Sequence, residues 1–406
     1  MSLRYEKILE IALLGVFFCF AISLFNLAGY IFIAMVVAML LLHGKKMYIT
    51  STDMLLFLFS TLYFFFHCLH FEVEINTFVW YFIGPWGAYF LGRMYMLRSK
   101  NNHAFVILLI VLAFGMFLHG LLNVLAYTQS EYYVLYTYYR QSVDFWRNEL
   151  VNVKSTEMLL TFATGVGIGV LFTTYKVKYK IMMAVVLFFS ILSAAFLANR
   201  GLFLMGAIIF AWRLFFWFRD KDVSANKKGI AIAAGLSVLT VGLILVVLNV
   251  GGLRDMILDL KIMQRFTSED ELTRFDVWEV FFKDFKFLWN PFGGKYITET
   301  TEWGYLHNTW LDCYNVVGIV PFTLLIILTV RFVFLFIRFG RVAKARNKTN
   351  EYVIFQCVIL ASVLNMMIEP VIEGNPYFFL TTLIFLGAMD GYTKILSETS
   401  IENRLS

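Results

Sequence analysis

Arg200, Arg274 and His307 are the side chains of this 406-residue chain best suited to chemistry on a phosphorylated substrate. A guanidinium stays protonated at physiological pH and its planar fork matches phosphate oxygens, so two fixed arginines can hold the charge that develops on a departing diphosphate. An imidazole that titrates near neutrality can take a proton from an attacking hydroxyl, and neighbouring guanidinium groups help keep it in the neutral, basic form. His307 and Asn308 stand at the end of a polar stretch, Gly251 to Trp310, in a chain otherwise made of apolar spans. Taken singly, Arg200 reads as an interfacial anchor for lipid headgroups, and His307 as a histidine bonded to Asn308 or to a backbone carbonyl. Expected on one side of a membrane, the three read together as a site, with Arg274 facing His307 across a cavity.

The elements that must position them are membrane helices. Hydrophobic residues make up 60% of the chain and charged ones 15%, with a mean hydropathy of +0.73, more apolar surface than a water-soluble fold of this length can bury. Spans of roughly 17–25 apolar residues cross a hydrocarbon core. About twelve are expected, near 9–25, 27–43, 53–70, 77–96, 103–127, 157–174, 181–198, 201–217, 229–250, 314–338, 353–371 and 377–393. Alternate connections carry the basic residues, among them Lys45, Lys46, Arg98, Lys100, Lys176, Lys178, Lys180, Arg219, Lys221, Lys227, Lys228, Arg341, Lys344, Arg346 and Lys348. Positive charge resists translocation, so these connections and both termini are expected in the cytoplasm. The opposite side then receives Glu72 and Glu74, a smaller loop near 128–156, the tight connection at Asn199 and Arg200, the long stretch 251–310, and Glu369 with Glu373. Three regions follow: residues 1–250 with nine helices, an outer loop at 251–313, and residues 314–406 with three helices and a cytoplasmic tail.

Other features bound the function. The net charge of +6 is spread over scattered loops and not one face, which argues against nucleic acid as a partner. The first span lacks a small-x-small cleavage site and reads as a retained helix. Cys19, Cys68, Cys313 and Cys357 have neither metal nor redox spacing and read as packing residues. The cluster Tyr132, Tyr133, Tyr136, Tyr138 and Tyr139 suits a segment at headgroup level. No His/Asp/Glu spacing resembles a metal site, and the run Glu269-Asp270-Glu271 reads as the solvated start of a helix. Neither metal nor cofactor is expected.

Within the long outer stretch, Leu272, Phe275, Trp278, Phe281, Phe282 and Phe285 recur at nearly helical spacing, predicting an amphipathic helix from Glu271 to Phe287 that rests on the interface. Asn290-Pro291-Phe292-Gly293-Gly294 cannot continue a helix and turns the chain back toward the membrane. Glu369, before Pro370 and one turn after Asn365, is costly at a span end unless it faces a cavity or a partner. It can orient an arginine or a sugar hydroxyl, or serve as a cap. His119 and Asn123 share one helix face, where an interhelical hydrogen bond is the expectation. Arg213 is expected to snorkel to the headgroups, and His67 and His70, flanking Cys68, lack the further ligands a metal needs.

Four elements occur in order: Asn199-Arg200-Gly201 on a short hairpin, Thr273-Arg274-Phe275 with Trp278 one turn on, Asn290-Pro291-Phe292-Gly293-Gly294, and His307-Asn308-Thr309-Trp310-Leu311 leading into Gly318. Together these resemble the O-antigen ligase and polysaccharide polymerase superfamily, apart from the adjacent glycines 293 and 294, which family members often separate by a residue. The resemblance implies a GT-C-like, all-α integral membrane protein with a large, partly helical loop between spans 9 and 10, in the bacterial cytoplasmic membrane. It implies a metal-independent glycosyltransferase whose donor is an undecaprenyl-diphosphate-linked glycan. On this resemblance Arg200 and Arg274 hold the diphosphate and His307 assists the acceptor hydroxyl; Asn308 and Trp278, and Glu369 from its place at a span end, are expected to complete the substrate-binding set. The acceptor is a lipid-linked repeat unit for a polymerase, or lipid A core or another terminal acceptor for a ligase. The small polar outer surface leans toward a surface-polysaccharide polymerase. A flippase or transporter is the more distant alternative, disfavoured because the polar groups gather outside one leaflet and not at midplane.

Overall fold

The structure is a computed structural model that describes residues 3–43, 48–99, 101, 103–133, 141–220, 223–258, 278–279, 281–282, 289–296, 298 and 304–405. Arg274, most of the expected amphipathic helix, and Tyr136, Tyr138 and Tyr139 lie outside the described residues. The first half contains α1 (Leu3–Ala21), α2 (Ala28–His43), α3 (Ser51–Cys68), the short α4 (Ile75–Thr77), α5 (Gly84–Arg98) and α6 (Ala104–Gln129). A hairpin of β1 (Gln141–Asp144) and β2 (Glu149–Asn152) precedes α7 (Val153–Leu171), α8 (Val177–Phe196), α9 (Arg200–Arg219), α10 (Ala225–Val247) and α11 (Leu253–Leu258). The chain then continues through α12 (Thr309–Val317), α13 (Ile319–Ala345), α14 (Thr349–Ile368), α15 (Val371–Gly374) and α16 (Pro376–Leu405). Among the described residues, seven helices are long and apolar enough to cross a membrane: α3, α6, α8, α9, α13, α14 and the first part of α16. The chain is thus a multi-pass, all-α membrane protein.

Close helix crossings hold the bundle. On α5 and α16, Gly92 lies against the Ile384 carbonyl and Gly387 against the Tyr89 carbonyl, so a Cβ at either position would run into backbone. On α7, Gly165 and Gly169 let the helix lie on Cys357 and Ile354 of α14. Small residues at a crossing let dispersion contacts accumulate where lipid supplies no hydrophobic driving force between helices.

The connections sort into two groups by their contacts. At one end, Trp146 Nε1 donates to the Ile22 carbonyl at 3.0 Å, His70 Nε2 meets the Phe292 carbonyl at 3.1 Å, and Lys154 reaches Glu369 at 3.3 Å. At the other end, Arg93 pairs with Asp53 at 2.8 Å, Ser99 donates to Glu10 at 2.7 Å, and Asn350 donates to Thr174 at 2.8 Å. Asp53 also closes a capping box with Thr50 that starts α3, satisfying amide groups that the first turn leaves over.

Four local features differ from the sequence expectation. The span expected at 77–96 is α4 followed by a π-helical turn, Phe78–Ile83, that runs into α5. The span expected at 314–338 is broken at Gly318, whose φ of 84° separates α12 from α13. The 128–156 loop contains an antiparallel hairpin, Gln141 opposite Asn152, closed by Phe145–Asn148 with Asn148 at φ 55°. Arg213 does not reach outward: it is 7% exposed and its guanidinium lies 5.8 Å from the Phe172 ring, where a cation–π contact replaces headgroups.

Candidate active site

His307 lies just before α12, on a loop bound at every residue. Its φ of 52° is left-handed, a strained conformation for a residue with a Cβ, and three partners enforce it. Asp312 accepts from the amides of Leu306 (2.6 Å) and Asn308 (2.9 Å). Asn308 caps α12, its Oδ1 accepting from the amides of Trp310 (3.1 Å) and Leu311 (3.2 Å), while its Nδ2 donates to the Met367 carbonyl (3.2 Å). Thr309 donates to the Glu369 carbonyl (2.8 Å) and accepts from the Val371 amide (3.1 Å). His307-Asn308-Thr309 is therefore pinned on the turn that joins α14 to α15. Burial drives the Asp312 carboxyl up to about 7, and the two amide bonds oppose that rise.

That turn presents Glu369. Its Oε2 stands 3.3 Å from His307 Nδ1 and its Oε1 3.3 Å from Lys154 Nζ. Lys154 bonds Glu157 Oε2 at 2.6 Å, and the same oxygen accepts from Asn199 Nδ2 at 2.8 Å. Four contacts thus lead from His307 on one loop to Asn199 on another. Arg200 is the next residue, the first of α9, and Asn199 caps that helix through Leu202 N at 3.1 Å. Gly201 has a specific reason to be glycine, because a Cβ there would run into the Glu157 carboxylate. The motif Asn199-Arg200-Gly201 accordingly has one residue to bond Glu157, one to make room for it, and a guanidinium between them.

Burial divides the chain of contacts. The side chains of Glu157 and Glu369 are 0% and 2% exposed, whereas those of Lys154 and His307 are 20% and 19% exposed. Glu157 and Glu369 both meet Lys154, and Glu369 meets His307 as well, so a buried carboxylate stands beside the imidazole. An Nδ1–H donor to Glu369 leaves Nε2 with the lone pair, so the pair can take a proton from a hydroxyl and stabilise the resulting charge. A carboxylate, Glu369, therefore stands beside His307 in the described part of the site.

The other site residues fall around this centre. Trp278, expected to bind substrate, donates from Nε1 to the Leu306 carbonyl at 2.7 Å and so braces the His307 loop. Phe281 is buried against Leu306 and Tyr314, so Trp278 and Phe281 both rest on the same loop. The Asn290–Gly294 turn docks on the α12–α13 break: Gly294 N donates to Val316 O (3.0 Å), Lys295 N to Asn315 O (2.9 Å) and Ile319 N to Asn290 O (3.0 Å). Gly293 at φ 83° lies against the Val316 carbonyl and Gly318 against the Pro291 carbonyl, so both positions exclude a side chain.

Lys154 and Glu157 escaped the sequence reading. Glu157 fell at the start of an expected apolar span, and an ionisable residue in such a place is by itself a pointer to function. A further buried carboxylate, Glu373, accepts from Tyr63 and from Tyr81 (3.2 Å), with His67 Nε2 3.9 Å away. Burial pushes its carboxyl up, against the pull of Tyr63 and Lys295. His67 therefore packs with a carboxylate and with the rings of Tyr81 and Phe71. Of the pair His119 and Asn123, only Asn123 makes the expected interhelical bond, donating to Thr156 at 3.4 Å.

Comparison with known proteins finds no family model that matches this chain and no match among curated sequences.

Proposed function

We propose that the chain is a metal-independent membrane glycosyltransferase that moves an undecaprenyl-diphosphate-linked glycan to a sugar hydroxyl. The observation that carries this reading is the run of contacts from His307 through Glu369, Lys154 and Glu157 to Asn199, which brings a base and an arginine-bearing turn into one assembly. In the proposed reaction the acceptor hydroxyl gives its proton to His307 Nε2, and its oxygen bonds the anomeric carbon. The bond from that carbon to the diphosphate oxygen breaks, and the diphosphate leaves as an anion. Glu369 holds the imidazole in orientation and balances its charge, while Arg200 and Arg274 meet the anion where charge develops. Lys154, half-buried over Glu157 and Glu369, adds a third cation to the assembly.

The setting proposed is the bacterial cytoplasmic membrane, with about twelve GT-C-like spans, both termini cytoplasmic and the His307 end outward. The separation of basic connections from the His307 end supports that orientation. A surface-polysaccharide polymerase is the preferred form, with an O-antigen ligase as its alternative. Purified protein reconstituted with a lipid-linked repeat unit as the only sugar substrate tests the two. Lengthening of the glycan is the expected result. Transfer that begins only when lipid A core is added identifies a ligase, and no transfer to either acceptor overturns the proposal.

A further inference from the structure

A cavity of about 480 Å³ lies on the other face of the start of α7. Lys154 and Glu157 belong to the His307 centre, whereas Ser155 and Leu159 line this cavity. The two spaces share a wall made by Ser155 and the 369–375 turn, whose Asn375 donates to the Ser155 carbonyl at 3.4 Å.

The lining combines two chemistries. His119 is 7% exposed, and both of its ring nitrogens lack a hydrogen-bond partner. Its Nε2 stands 3.8 Å from Asp144 Oδ2, too far for a direct bond and open to a hydroxyl placed between them. An unpartnered buried imidazole is costly unless a ligand supplies the missing bonds. Asp144 is held in place because its Oδ1 accepts from the amides of Trp146 (3.0 Å) and Arg147 (2.9 Å). Toward the mouth stand Trp80 and Tyr30, the latter 63% exposed, with the exposed Arg147 beside them.

A pyranose needs this combination, because its hydroxyl edges require donors and acceptors while its C–H faces pack on aromatic rings. One carboxylate beside one guanidinium gives no net charge, which suits a neutral sugar better than a phosphate. The volume lies within the roughly 300–1,000 Å³ range of small-molecule pockets. We propose that this cavity is a saccharide-binding subsite that receives a sugar of the acceptor glycan, with hydroxyls on His119 and Asp144 and a ring face on Trp80. The acceptor role rests on the glycosyl-transfer reading; saccharide binding by the cavity does not.

The test is saturation-transfer NMR on the full chain in lipid nanodiscs, with methyl glycosides of glucose, galactose, mannose and N-acetylglucosamine as probes. The expected result is transfer to the ring protons of at least one glycoside, weakened about tenfold in Trp80→Ala and Asp144→Asn and retained in His307→Ala. Trp80 stands at the mouth, and a melting curve matching that of the wild type is the required check that its variant is folded. No transfer from any glycoside to the wild-type protein, or transfer that survives Trp80→Ala and Asp144→Asn, overturns the subsite. Glycan transfer that proceeds with an unchanged acceptor KM in Trp80→Ala removes the acceptor role while leaving the proposed function standing. Glycoside binding by a protein that transfers no glycan removes the proposed function and the acceptor role, and leaves a saccharide site.

Discussion

Glu369 joins two half-buried groups that would otherwise be unrelated, one carboxylate oxygen meeting His307 and the other Lys154. Removing one partner from a buried ion pair costs about 3–5 kcal/mol, because the remaining charge is left uncompensated. Glu369→Gln keeps an oxygen for the imidazole and discards the charge. It is expected to slow transfer by on the order of 10²-fold, the lower range for loss of acid–base assistance, with KM little changed. Steady-state kinetics on the reconstituted variant checks this, and an unaltered kcat would separate Glu369 from the chemistry. Gly201→Ala drives a methyl group into the Glu157 carboxylate and is expected to lower both melting temperature and transfer rate. In the sequence His307 stands out because the chain has only six histidines, and Arg200 because it sits between Asn199 and Gly201 on a tight connection. Lys154 and Glu157 were not, because an i,i+3 pair at the start of an apolar helix looks like ordinary capping until Asn199 and Glu369 are brought to it from distant parts of the chain.

The loop before α12 and the α5–α16 crossing show why elements were easier to read than their joints. Apolar periodicity marks where helices run, and a helix lies at each expected span. It does not mark the Gly318 break or the π-helical turn, since both depend on what packs beside them. The α5–α16 contact did leave a trace in Gly387 and Gly391, four residues apart, a spacing that permits close approach. Gly387→Leu is expected to force the crossing apart, at about 1–3 kcal/mol or more, and to reduce the yield of monodisperse protein on size-exclusion chromatography. Asp312 governs the other joint. Its folded pKa of about 7 lies above that of an unfolded aspartate, so folding favours the protonated form. The resulting stabilisation is full below about pH 4 and is lost as pH rises through about 7. Asp312→Asn should flatten the dependence of melting temperature on pH over that window, and an unchanged slope would assign it to another group.

Across the bundle, the contacts gather the 141–152 hairpin, the Asn199 turn, the Asn290–Gly294 turn and the 369–375 turn at one end, while the described connections at Thr174 and Asn350, flanked by basic residues, meet at the other. Alternation of charge along the sequence made this arrangement legible, because each helix reverses direction. The hairpin at 141–152 was not legible: its strands have four residues each and gain their stability from docking on Ile22 and Asn123. In a cysteine-free background, Glu72→Cys is expected to react with a membrane-impermeant maleimide on intact cells, and Lys176→Cys only after permeabilisation. The reverse pattern would invert the proposed topology. The most direct measurement of the central claim is glycan product formation from a lipid-linked donor by Arg200→Ala, Arg274→Ala and His307→Ala, each verified as inserted and folded. Loss of product by about 10²-fold or more in each variant is the predicted result. Wild-type product levels from all three would contradict the proposal that these side chains form a glycosyl-transfer site.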